Sequence, residues 1–419
     1  MKPVFTVLAA TALLGGCAPA NKRAAGQSAP HSSSPGATEG SPAKALSATN
    51  GTIPTQSGPL RVERLAALEE PWGMAYLPDG ELLITEKPGR LRSYSGGKLS
   101  VPVTGVPDVV YFGQGGLLDV AVDPDFTKNH FVYLSYAEAA IPQPPGTRET
   151  SEPRLAAFQR MEDQVLKGTA VARGRLEGGV LHEVTVIWRQ VPKTVGRGHF
   201  GGRLTFAPDS TLFIGSSERM QFDPAQNLTS NLGKIVRIRR DGSAPLDNPF
   251  VATRAARPEI WSIGHRNISG MAFQPITGRL WSVEFGAKGG DELNIITKGG
   301  NYGWPLVSEG VNYDDSAIPH HDTRPEFVRF VRSWTPVISP GHLMFYTGTQ
   351  FPQWQSNAFV SGLSSQAIIR LAIEGEKVTA EEMIPMGRRI RTLLQGRDGS
   401  LLVLTESPNA ELLRLTPAR

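Results

Sequence analysis

Apolar residues along this chain come in short runs separated by turn residues, and one such unit recurs six times. In each copy a β-rich apolar run leads into a Pro-, Asp- or Gly-containing turn, and a second apolar run follows. The copies are GMAYLPDGELLITE at residue 73, GLLDVAVDPDFTKNHFVYLSY at 116, GRLTFAPDSTLFIGSSE at 202, GMAFQPITGRLWSVEFG at 270, GHLMFYTGTQFPQWQSNAFVSG at 341 and IRTLLQGRDGSLLVLTE at 390. The pattern predicts a β-hairpin in each copy, and no long stretch shows helical periodicity.

Repeated hairpins spaced about 40 to 85 residues apart are typical of radial β-sheet arrays. We therefore predict an all-β fold, a six-bladed β-propeller with four-stranded antiparallel blades. The run LRVERLAAL at 60–68 has no full copy of its own, and we expect it to close the ring by pairing with AELLRLTP at 410–417. The alternative is a pair of β-sandwiches whose hairpins are similar by accident.

The N-terminus has the pattern of an export signal. Residues 1–17 combine a positive start, an apolar segment too short to span a bilayer, and the ending LGGC. Small residues before Cys17 resemble the lipobox of bacterial lipoproteins, in which that thiol carries the lipid anchor. An ordinary signal peptide cleaved nearby is the alternative. Cys17 is the only cysteine, so the mature body has no internal disulfide.

Residues 18–58 are rich in Ser, Ala, Gly, Pro and Thr and contain almost no large apolar side chains. Such a segment cannot bury enough surface to fold, and we predict a disordered tether. We expect residues 59–419 to form the propeller.

Composition and charge narrow the function classes. The chain of 419 residues contains 45 Gly and 33 Pro, is 20% charged, and carries a formal net charge of +4. Its basic residues are scattered among nearly as many carboxylates, without the basic and aromatic stripe of nucleic-acid-binding proteins. We therefore expect no nucleic-acid partner.

Six ordered motifs carry a resemblance to a known family. They are GQGGLLDVAVDPDF, GHFGGRLTF, NLGKIVRIRRDGSAPLDNPF, IWSIGHRNISGMAF, DELNIITKGGNYGWP and GRRIRTLLQGRDGSLLVLTE. Together they resemble the soluble glucose/sorbosone dehydrogenases, most closely the aldose sugar dehydrogenase branch, over about residues 60–417. The resemblance implies a six-bladed propeller that uses pyrroloquinoline quinone (PQQ) and calcium. It implies oxidation of the C1 hydroxyl of aldose sugars to lactones, with electrons passed to an external acceptor. The lipobox adds a membrane-anchored location facing the periplasm, and Ala18 after Cys17 favours the outer membrane.

The segment GRGHFGGR sets one imidazole among four glycines, an arrangement that exposes a side chain to a ligand. By the resemblance, His199 is the catalytic base, a role that suits a group with a pKa of about 6.5. Glu218 stands where relatives place an aspartate that orients this histidine. Arg266 is expected to stabilise charge on the quinone oxygen. The alternative for His199 is a structural histidine that caps a strand end, and the alternative for Glu218 is a surface carboxylate.

PQQ carries three carboxylates and an ortho-quinone, so its pocket should present guanidinium and amide groups. The resemblance assigns cofactor binding to five residues: Gln114, Arg266, Asn267, Arg389 and Arg391. Arg389 and Arg391 alternate across one residue, which directs both side chains to one face of a strand. The alternative for Gln114 is a glutamine that only supports a turn, and the alternative for Arg389 and Arg391 is a pair of solvated arginines.

Calcium prefers six to eight oxygen ligands, many of them backbone carbonyls. The loop EFGAKGGDELN matches the family's calcium loop, which assigns the carbonyls of Gly286 and Ala287 to the ion. Asp291, Glu292 and Tyr302 stand where relatives place further ligands. A solvated DELN turn is the alternative.

One departure from the family bears on cofactor affinity. Relatives place a PQQ-binding lysine in the fifth repeat, whereas this chain has SGLSSQ, with Ser364 or Ser365 at that position. Loss of the charge is expected to weaken PQQ binding by about 1 to 2 kcal/mol unless another cation compensates. The insertion at 140–168, with Arg160 and Lys167, is expected either to cover the site or to form a peripheral loop.

Two rival functions remain open at this stage. A calcium-dependent sugar lactonase would use His199 to activate water and would need no quinone. A non-catalytic carbohydrate-binding surface propeller would retain only the shell of the site.

Overall fold

The computed structural model describes residues 51–144 and 165–418. The strands in chain order are β1 (Thr52–Ile53), β2 (Leu60–Leu68), β3 (Pro71–Tyr76), β4 (Leu82–Glu86), β5 (Arg90–Ser95), β6 (Lys98–Leu99), β7 (Leu117–Val122), β8 (Phe131–Ala139), β9 (Lys167–Glu177), β10 (Val180–Arg189), β11 (Gly201–Phe206), β12 (Leu212–Ser216), β13 (Lys234–Ile238), β14 (Ile260–Ile263), β15 (Asn267–Phe273), β16 (Leu280–Phe285), β17 (Asp291–Ile295), β18 (Arg332–Trp334), β19 (Pro340–Phe345), β20 (Ala358–Gly362), β21 (Ala367–Glu374), β22 (Lys377–Pro385), β23 (Ile390–Gln395), β24 (Leu401–Thr405) and β25 (Ala410–Pro417). Helical segments within the described ranges are short: α1 (Phe126–Asn129) and 3₁₀ turns at Asp223–Gln226, His321–Thr323 and Pro352–Trp354.

These strands form six antiparallel sheets. The first five blades are β3 to β6, β7 to β10, β11 to β14, β15 to β18 and β19 to β22, and the sixth has the order β1-β2-β25-β24-β23. The inner strands β3, β7, β11, β15, β19 and β23 pack against one another in sequence, and β23 returns to β3. The predicted six-bladed propeller is confirmed, and each predicted hairpin forms the two inner strands of one blade.

The ring closes as the sequence predicts. β2 pairs antiparallel with β25, with Leu60 opposite Pro417 and Leu68 opposite Ala410. This pairing places the N-terminal strand inside the sheet formed by the C-terminal hairpin. The two ends of the propeller are therefore held in one blade.

The predicted tether extends too far along the chain. Thr52 and Ile53 pair with β2, and Ile53 is buried in the core of the sixth blade. Ser57 Oγ accepts a hydrogen bond from Trp354 Nε1 at 3.0 Å. Residues 52–57 therefore belong to the propeller, because one apolar side chain and several polar contacts anchor them. The signal segment 1–17 with Cys17, residues 18–50 and Arg160 lie outside the described residues.

The apolar core lies between neighbouring blades, where alternating side chains from facing sheets meet. Between the sixth and first blades, for example, Leu402 and Leu412 pack with Leu82 and Ile84. Among the residues that the structure describes, no helix has the length and apolar character needed to cross a membrane.

Arg203 lies at the centre of the ring and connects all six inner strands. This β11 residue has a side chain only 2% exposed. Its partners, one on each other inner strand, are the Trp72 ring at 4.1 Å, Asp119 Oδ1 at 3.1 Å, the Ser269 carbonyl at 3.0 Å, the Gly341 carbonyl at 2.9 Å and Thr392 Oγ1 at 3.5 Å. The central channel is therefore filled here by a hydrogen-bonded guanidinium.

Candidate active site

The glycine-rich segment before β11 holds His199 in a left-handed backbone conformation, with φ of 51°. Gly201 follows with φ of 68°, and a Cβ atom there would lie 2.4 Å from the Gly215 carbonyl oxygen on β12. Glycine is needed at this position because the turn runs directly against the neighbouring strand. The turn buries the His199 imidazole, whose side chain is 5% exposed.

His199 and Glu218, predicted as a pair, are in contact. His199 Nδ1 is hydrogen-bonded to Glu218 Oε1. The other carboxylate oxygen of Glu218 accepts the Phe222 backbone N–H at 2.8 Å, so the carboxylate is held from both sides. A carboxylate at Nδ1 fixes the proton there and leaves Nε2 as the acceptor nitrogen.

The charge state of this pair follows from burial and its neighbours. Burial lowers the pKa of His199, the Arg266 guanidinium lowers it further, and Glu218 opposes both. Burial raises the pKa of Glu218, but His199 and Arg266 outweigh it and hold the pKa below its usual value. The arrangement favours a neutral imidazole beside an ionised carboxylate, the state required of a general base.

Arg219 fixes the backbone around His199. Its guanidinium donates to the Gly196 carbonyl at 2.9 Å and to the Gly198 carbonyl, and it stacks over Phe200 at 3.6 Å. Its backbone N–H donates to the His199 carbonyl at 3.2 Å. The sequence analysis did not find this residue, although it directly follows Glu218 in SSERM.

Arg389 and Arg391 lie on the same face, as their spacing predicts, and share one carboxylate. Arg389 donates to Glu406 Oε2 at 2.8 and 2.6 Å, and Arg391 donates to Glu406 Oε1. Burial raises the pKa of Glu406, but Arg391 and Arg389 outweigh it and set the pKa at about 2. Arg391 Nε is buried and has no hydrogen-bond partner. Glu406 therefore holds both arginines in place, and the Nε–H of Arg391 remains available as a donor.

A cavity of about 190 Å³ lies over the arginine pair. It brings together four of the predicted cofactor residues, Gln114, Asn267, Arg389 and Arg391, with walls that include Trp72, Phe200, Phe285, Leu363 and Lys87. Gln114 Oε1 accepts the His199 backbone N–H at 2.8 Å. Gln114 therefore joins the histidine turn to the cavity, although His199 itself is not among the lining residues.

Arg266 lines a second, smaller cavity of about 20 Å³. Its backbone N–H donates to Glu284 Oε2 at 2.8 Å, and its side chain donates to the Phe285 carbonyl at 3.1 Å and to the Gly286 carbonyl. Arg266 Nε is buried without a partner. Phe285 lines both cavities, and Arg266 is not among the residues that line the larger one.

The residues predicted to bind calcium lie close together in the chain, but some of their side chains are already engaged in hydrogen bonds. Asp291 accepts the backbone N–H groups of Gly286 at 2.9 Å and Ser339 at 2.7 Å. The Tyr302 hydroxyl donates to the Ile295 carbonyl at 2.6 Å, so the side chain supports the strand. Within residues 51–144 and 165–418, no group of three or more His, Cys, Asp or Glu side chains is arranged to hold a metal ion.

Of this set, Gly286, Glu292 and Tyr302 line the small cavity, whereas Ala287 is buried but is not a lining residue. The Gly286 carbonyl, predicted to face calcium, accepts the Arg266 guanidinium instead. Burial raises the pKa of Glu292 well above its usual value, and Glu284 raises it further. The raised pKa reflects burial and repulsion between neighbouring carboxylates, both of which disfavour ionisation of Glu292. The buried Asn294 Oδ1 nearby lacks a donor.

The fifth blade contributes no charge to the larger cavity. Ser364 Oγ donates to the Val337 carbonyl at 3.1 Å, Ser365 is not a lining residue, and only Leu363 of this segment reaches the cavity. Lys167 of the insertion is buried, and its ammonium donates to the Val165 carbonyl at 3.1 Å. It supports the start of β9 and does not line the cavity.

The arrangement of a buried histidine and carboxylate beside a cationic cavity can now be compared with known proteins. Residues 68–414 match the family described as glucose / sorbosone dehydrogenase. The chain belongs to this family. The aldose sugar dehydrogenase YliI of Escherichia coli is 41% identical over 361 residues, which cover 84% of this chain and 91% of that protein.

Solved structures support membership of the glucose / sorbosone dehydrogenase family. A crystal structure of glucose dehydrogenase aligns with a TM-score of 0.78 at 40% identity, covering 85% of this chain and 99% of the other. The PQQ-bound form of aldose sugar dehydrogenase from Streptomyces coelicolor aligns with a TM-score of 0.65 at 25% identity, covering 87% and 99%. The chain is an enzyme of the sugar dehydrogenase type.

Four blades carry a glutamate at or near the end of their second strand. Glu86 ends the second strand of its blade, Glu284 lies one residue before the end of its strand, Glu406 directly follows its strand, and Glu218 lies two residues after its own. Each receives hydrogen bonds from a neighbouring Arg or His side chain or backbone N–H. The repeated endings LLITE and LLVLTE were the sequence signal for Glu406, which the analysis missed.

Proposed function

We propose that this protein oxidises the C1 hydroxyl of aldose sugars to lactones, using PQQ and calcium, and passes the electrons to an external acceptor. The observation that carries the proposal is the contact between Gln114 and His199. Through this contact, a histidine oriented by a carboxylate is fixed at the edge of a cavity lined by an arginine pair.

The lining of the larger cavity suits a planar polyanion. Trp72, Phe200 and Phe285 provide aromatic surfaces, and Arg391, whose buried Nε has no hydrogen-bond partner, is one of the lining residues. Arg389, Arg391, Gln114 and Asn267 would hold PQQ through charge-assisted and amide hydrogen bonds. When bound, PQQ supplies the two-electron acceptor for the hydride that leaves C1.

His199 takes the proton of the C1 hydroxyl at Nε2, because Glu218 holds the proton on Nδ1. The imidazolium that forms is stabilised by the ionised Glu218 carboxylate. Arg219 keeps the turn in place through the Gly196 and Gly198 carbonyls, so the imidazole does not move as its charge changes. The proton then passes from Nε2 to solvent.

Arg266 lies close enough to His199 to lower the pKa of its imidazole. We assign to it the stabilisation of negative charge that develops on the acceptor side of the site. Its unpartnered Nε is the donor available for this role, because the other guanidinium contacts are to backbone carbonyls and Tyr313.

The small cavity overlaps the calcium loop predicted from the resemblance, because Gly286, Glu292 and Tyr302 all line it. A cavity of about 20 Å³ holds one ion or one water. Its lining contains the Glu284 and Glu292 carboxylates and the Gly286 backbone, all with oxygen donors of the type that calcium binds. In the proposal the Glu284 and Glu292 carboxylates would hold the ion, because the Gly286 carbonyl already accepts the Arg266 guanidinium and Ala287 does not line this cavity.

The location is also a proposal. We infer from the signal segment and the lipobox at Cys17 that the propeller faces the periplasm of a bacterial envelope, held by a lipid on the cysteine. Labelling with a radioactive fatty acid, and its loss in Cys17→Ser, tests this assignment directly.

The activity is tested by mixing purified protein with PQQ and calcium and measuring sugar-dependent reduction of a dye. His199→Ala is expected to lower kcat roughly 10²- to 10⁴-fold, the usual contribution of a general base. The matched control is His182→Ala, because His182 is an exposed histidine on β10. Activity of His199→Ala equal to that of His182→Ala would refute the proposed base.

The same preparation separates the rival functions. A lactonase would hydrolyse sugar lactones without PQQ or dye, and a binding module would bind sugar without reducing dye. Either result in the absence of sugar-dependent dye reduction would overturn the dehydrogenase proposal.

A further inference from the structure

Lys87 is a third cation at the larger cavity and comes from the first blade. It directly follows β4 and lines the cavity together with Arg389 and Arg391. Its side chain is 14% exposed, so the ammonium lies at the edge of the cavity and not in open solvent. No prediction from the sequence included it.

The backbone of Lys87 is fixed at both ends. Its N–H donates to the Glu70 carbonyl at 3.0 Å, and its carbonyl accepts the Leu117 N–H at 2.9 Å. The side chain is therefore presented from a rigid position between the first and second blades. A group held in this way loses little conformational freedom when it binds a ligand.

The ammonium retains capacity for a ligand. It donates to Glu70 Oε2 at 3.0 Å and to the Gly113 carbonyl at 3.2 Å, and Gly113 is itself a lining residue. An ammonium has three hydrogens, so these two contacts leave one donor. Gly113 lines the cavity, so the ammonium that contacts its carbonyl lies beside the cavity, with the centre of the Tyr111 ring 5.6 Å away.

We propose that Lys87 binds a carboxylate of PQQ and so provides the cationic contact that Ser364 does not. The inference rests on the proposed function, because it names a further residue for the same cofactor. Family members carry the corresponding charge on the fifth blade, at the position of Ser364. In this chain the charge comes from the first blade, where Lys87 lines the cavity together with Arg389 and Arg391. Glu70 then acts as a competitor, because its carboxylate attracts the same ammonium.

This competition gives two variants with opposite effects. Lys87→Gln removes the charge and is expected to raise the PQQ dissociation constant about tenfold, the loss of one charge-assisted contact. Glu70→Gln removes the competing carboxylate and is expected to lower the dissociation constant. General damage to the cavity would weaken binding in both variants, so only the proposed contact predicts opposite signs.

The measurement is a titration of the purified full-length protein with PQQ at fixed calcium concentration, followed by the quinone absorbance and repeated at several salt concentrations. Lys87→Arg, which keeps the charge, should stay within a few-fold of the wild type. Lys128→Gln is the matched control, since Lys128 also pairs with a carboxylate, Asp125, at 3.2 Å but does not line this cavity. The salt dependence of binding should be shallower for Lys87→Gln alone.

The two levels of failure are distinguishable. If the wild type binds PQQ and Lys87→Gln binds it equally well, the role of Lys87 is wrong and the dehydrogenase proposal stands. If the wild type shows no saturable binding, the proposed function fails and the role of Lys87 fails with it.

Discussion

Asp119 and Arg203 form an ion pair at 3.1 Å in the centre of the propeller, with side chains only 5% and 2% exposed. Burial raises the pKa of Asp119, and burial lowers the pKa of Arg203 to about 10, although each charge opposes the shift of the other. The attraction within the pair therefore offsets only part of the cost of burial. The Ser269 and Gly341 carbonyls accept further hydrogen bonds from the Arg203 guanidinium.

Removing one member of this pair should be strongly destabilising. Arg203→Met leaves the Asp119 carboxylate buried without its counter-charge, and we expect a loss of about 3–5 kcal/mol in the free energy of unfolding. Urea denaturation followed by tryptophan fluorescence measures this loss. Arg324→Met, which breaks the exposed pair with Glu326, should cost less than about 1 kcal/mol. Equal effects of the two variants would contradict a central role for Arg203.

The pairing of Glu406 with Arg389 and Arg391 should make stability depend on pH. The folded-state pKa of about 2 lies below the ordinary value of 4.5, so the group stabilises the fold above pH 4.5 and loses this contribution as the pH falls towards 2. The shift corresponds to roughly 3 kcal/mol. Glu406→Gln should therefore be less stable than the wild type at pH 7.

The wild type and Glu406→Gln should then converge on acidification. Urea unfolding at a series of pH values between 7 and 2 measures the gap. Glu376→Gln is the control, because Glu376 makes an exposed pair with Arg279 and its removal should give a small gap at every pH. A constant gap for Glu406→Gln across the series would contradict the assigned pKa.

The rate of sugar oxidation should fall at low pH, when His199 becomes protonated. Burial and Arg266 lower its pKa, so the acidic limb of kcat/KM should lie below pH 6.5. Glu218 raises the pKa of His199, hence Glu218→Gln should move the limb to still lower pH while reducing kcat by at least about tenfold. A limb that moves to higher pH in this variant would refute the orienting role of Glu218.

Lys234 should stabilise the loop that follows Glu218. Its buried ammonium donates to the carbonyls of Pro224 at 2.8 Å, Ala225 at 2.8 Å and Leu232 at 2.7 Å. Lys234→Met leaves these carbonyls without a donor, at a cost of at least about 1–3 kcal/mol. Thermal unfolding measures the loss. Lys298→Met, at a mostly solvent-accessible position, should behave like the wild type.

The sequence predicted the architecture well because the information is local. Alternation of apolar residues around Pro, Asp and Gly turns specifies each hairpin, and the unmatched run at 60–68 specifies ring closure. The end of the tether was less predictable, since Ile53 is a single apolar residue in a polar segment. Its burial depends on a core that only the folded sixth blade provides.

The site was only partly predictable, because several of its residues come together only through long-range contacts. His199 and Glu218 stand in recognisable motifs, but Lys87 becomes a cavity residue only when the first and sixth blades meet. Arg203 appeared in the quoted motif GHFGGRLTF, yet its role depends on contacts with five other strands. Such roles require long-range closure, which residue spacing does not contain.

The sheet that joins the two ends of the propeller imposes an order on biosynthesis. β2 is among the first strands to leave the ribosome, but its partner β25 is the last. Until the polypeptide is complete, β2 and β24 each present an unpaired edge of the kind that recruits other chains. A chain with this topology depends on being kept apart from its neighbours until β25 has been synthesised, and truncation of that strand would leave both edges permanently exposed.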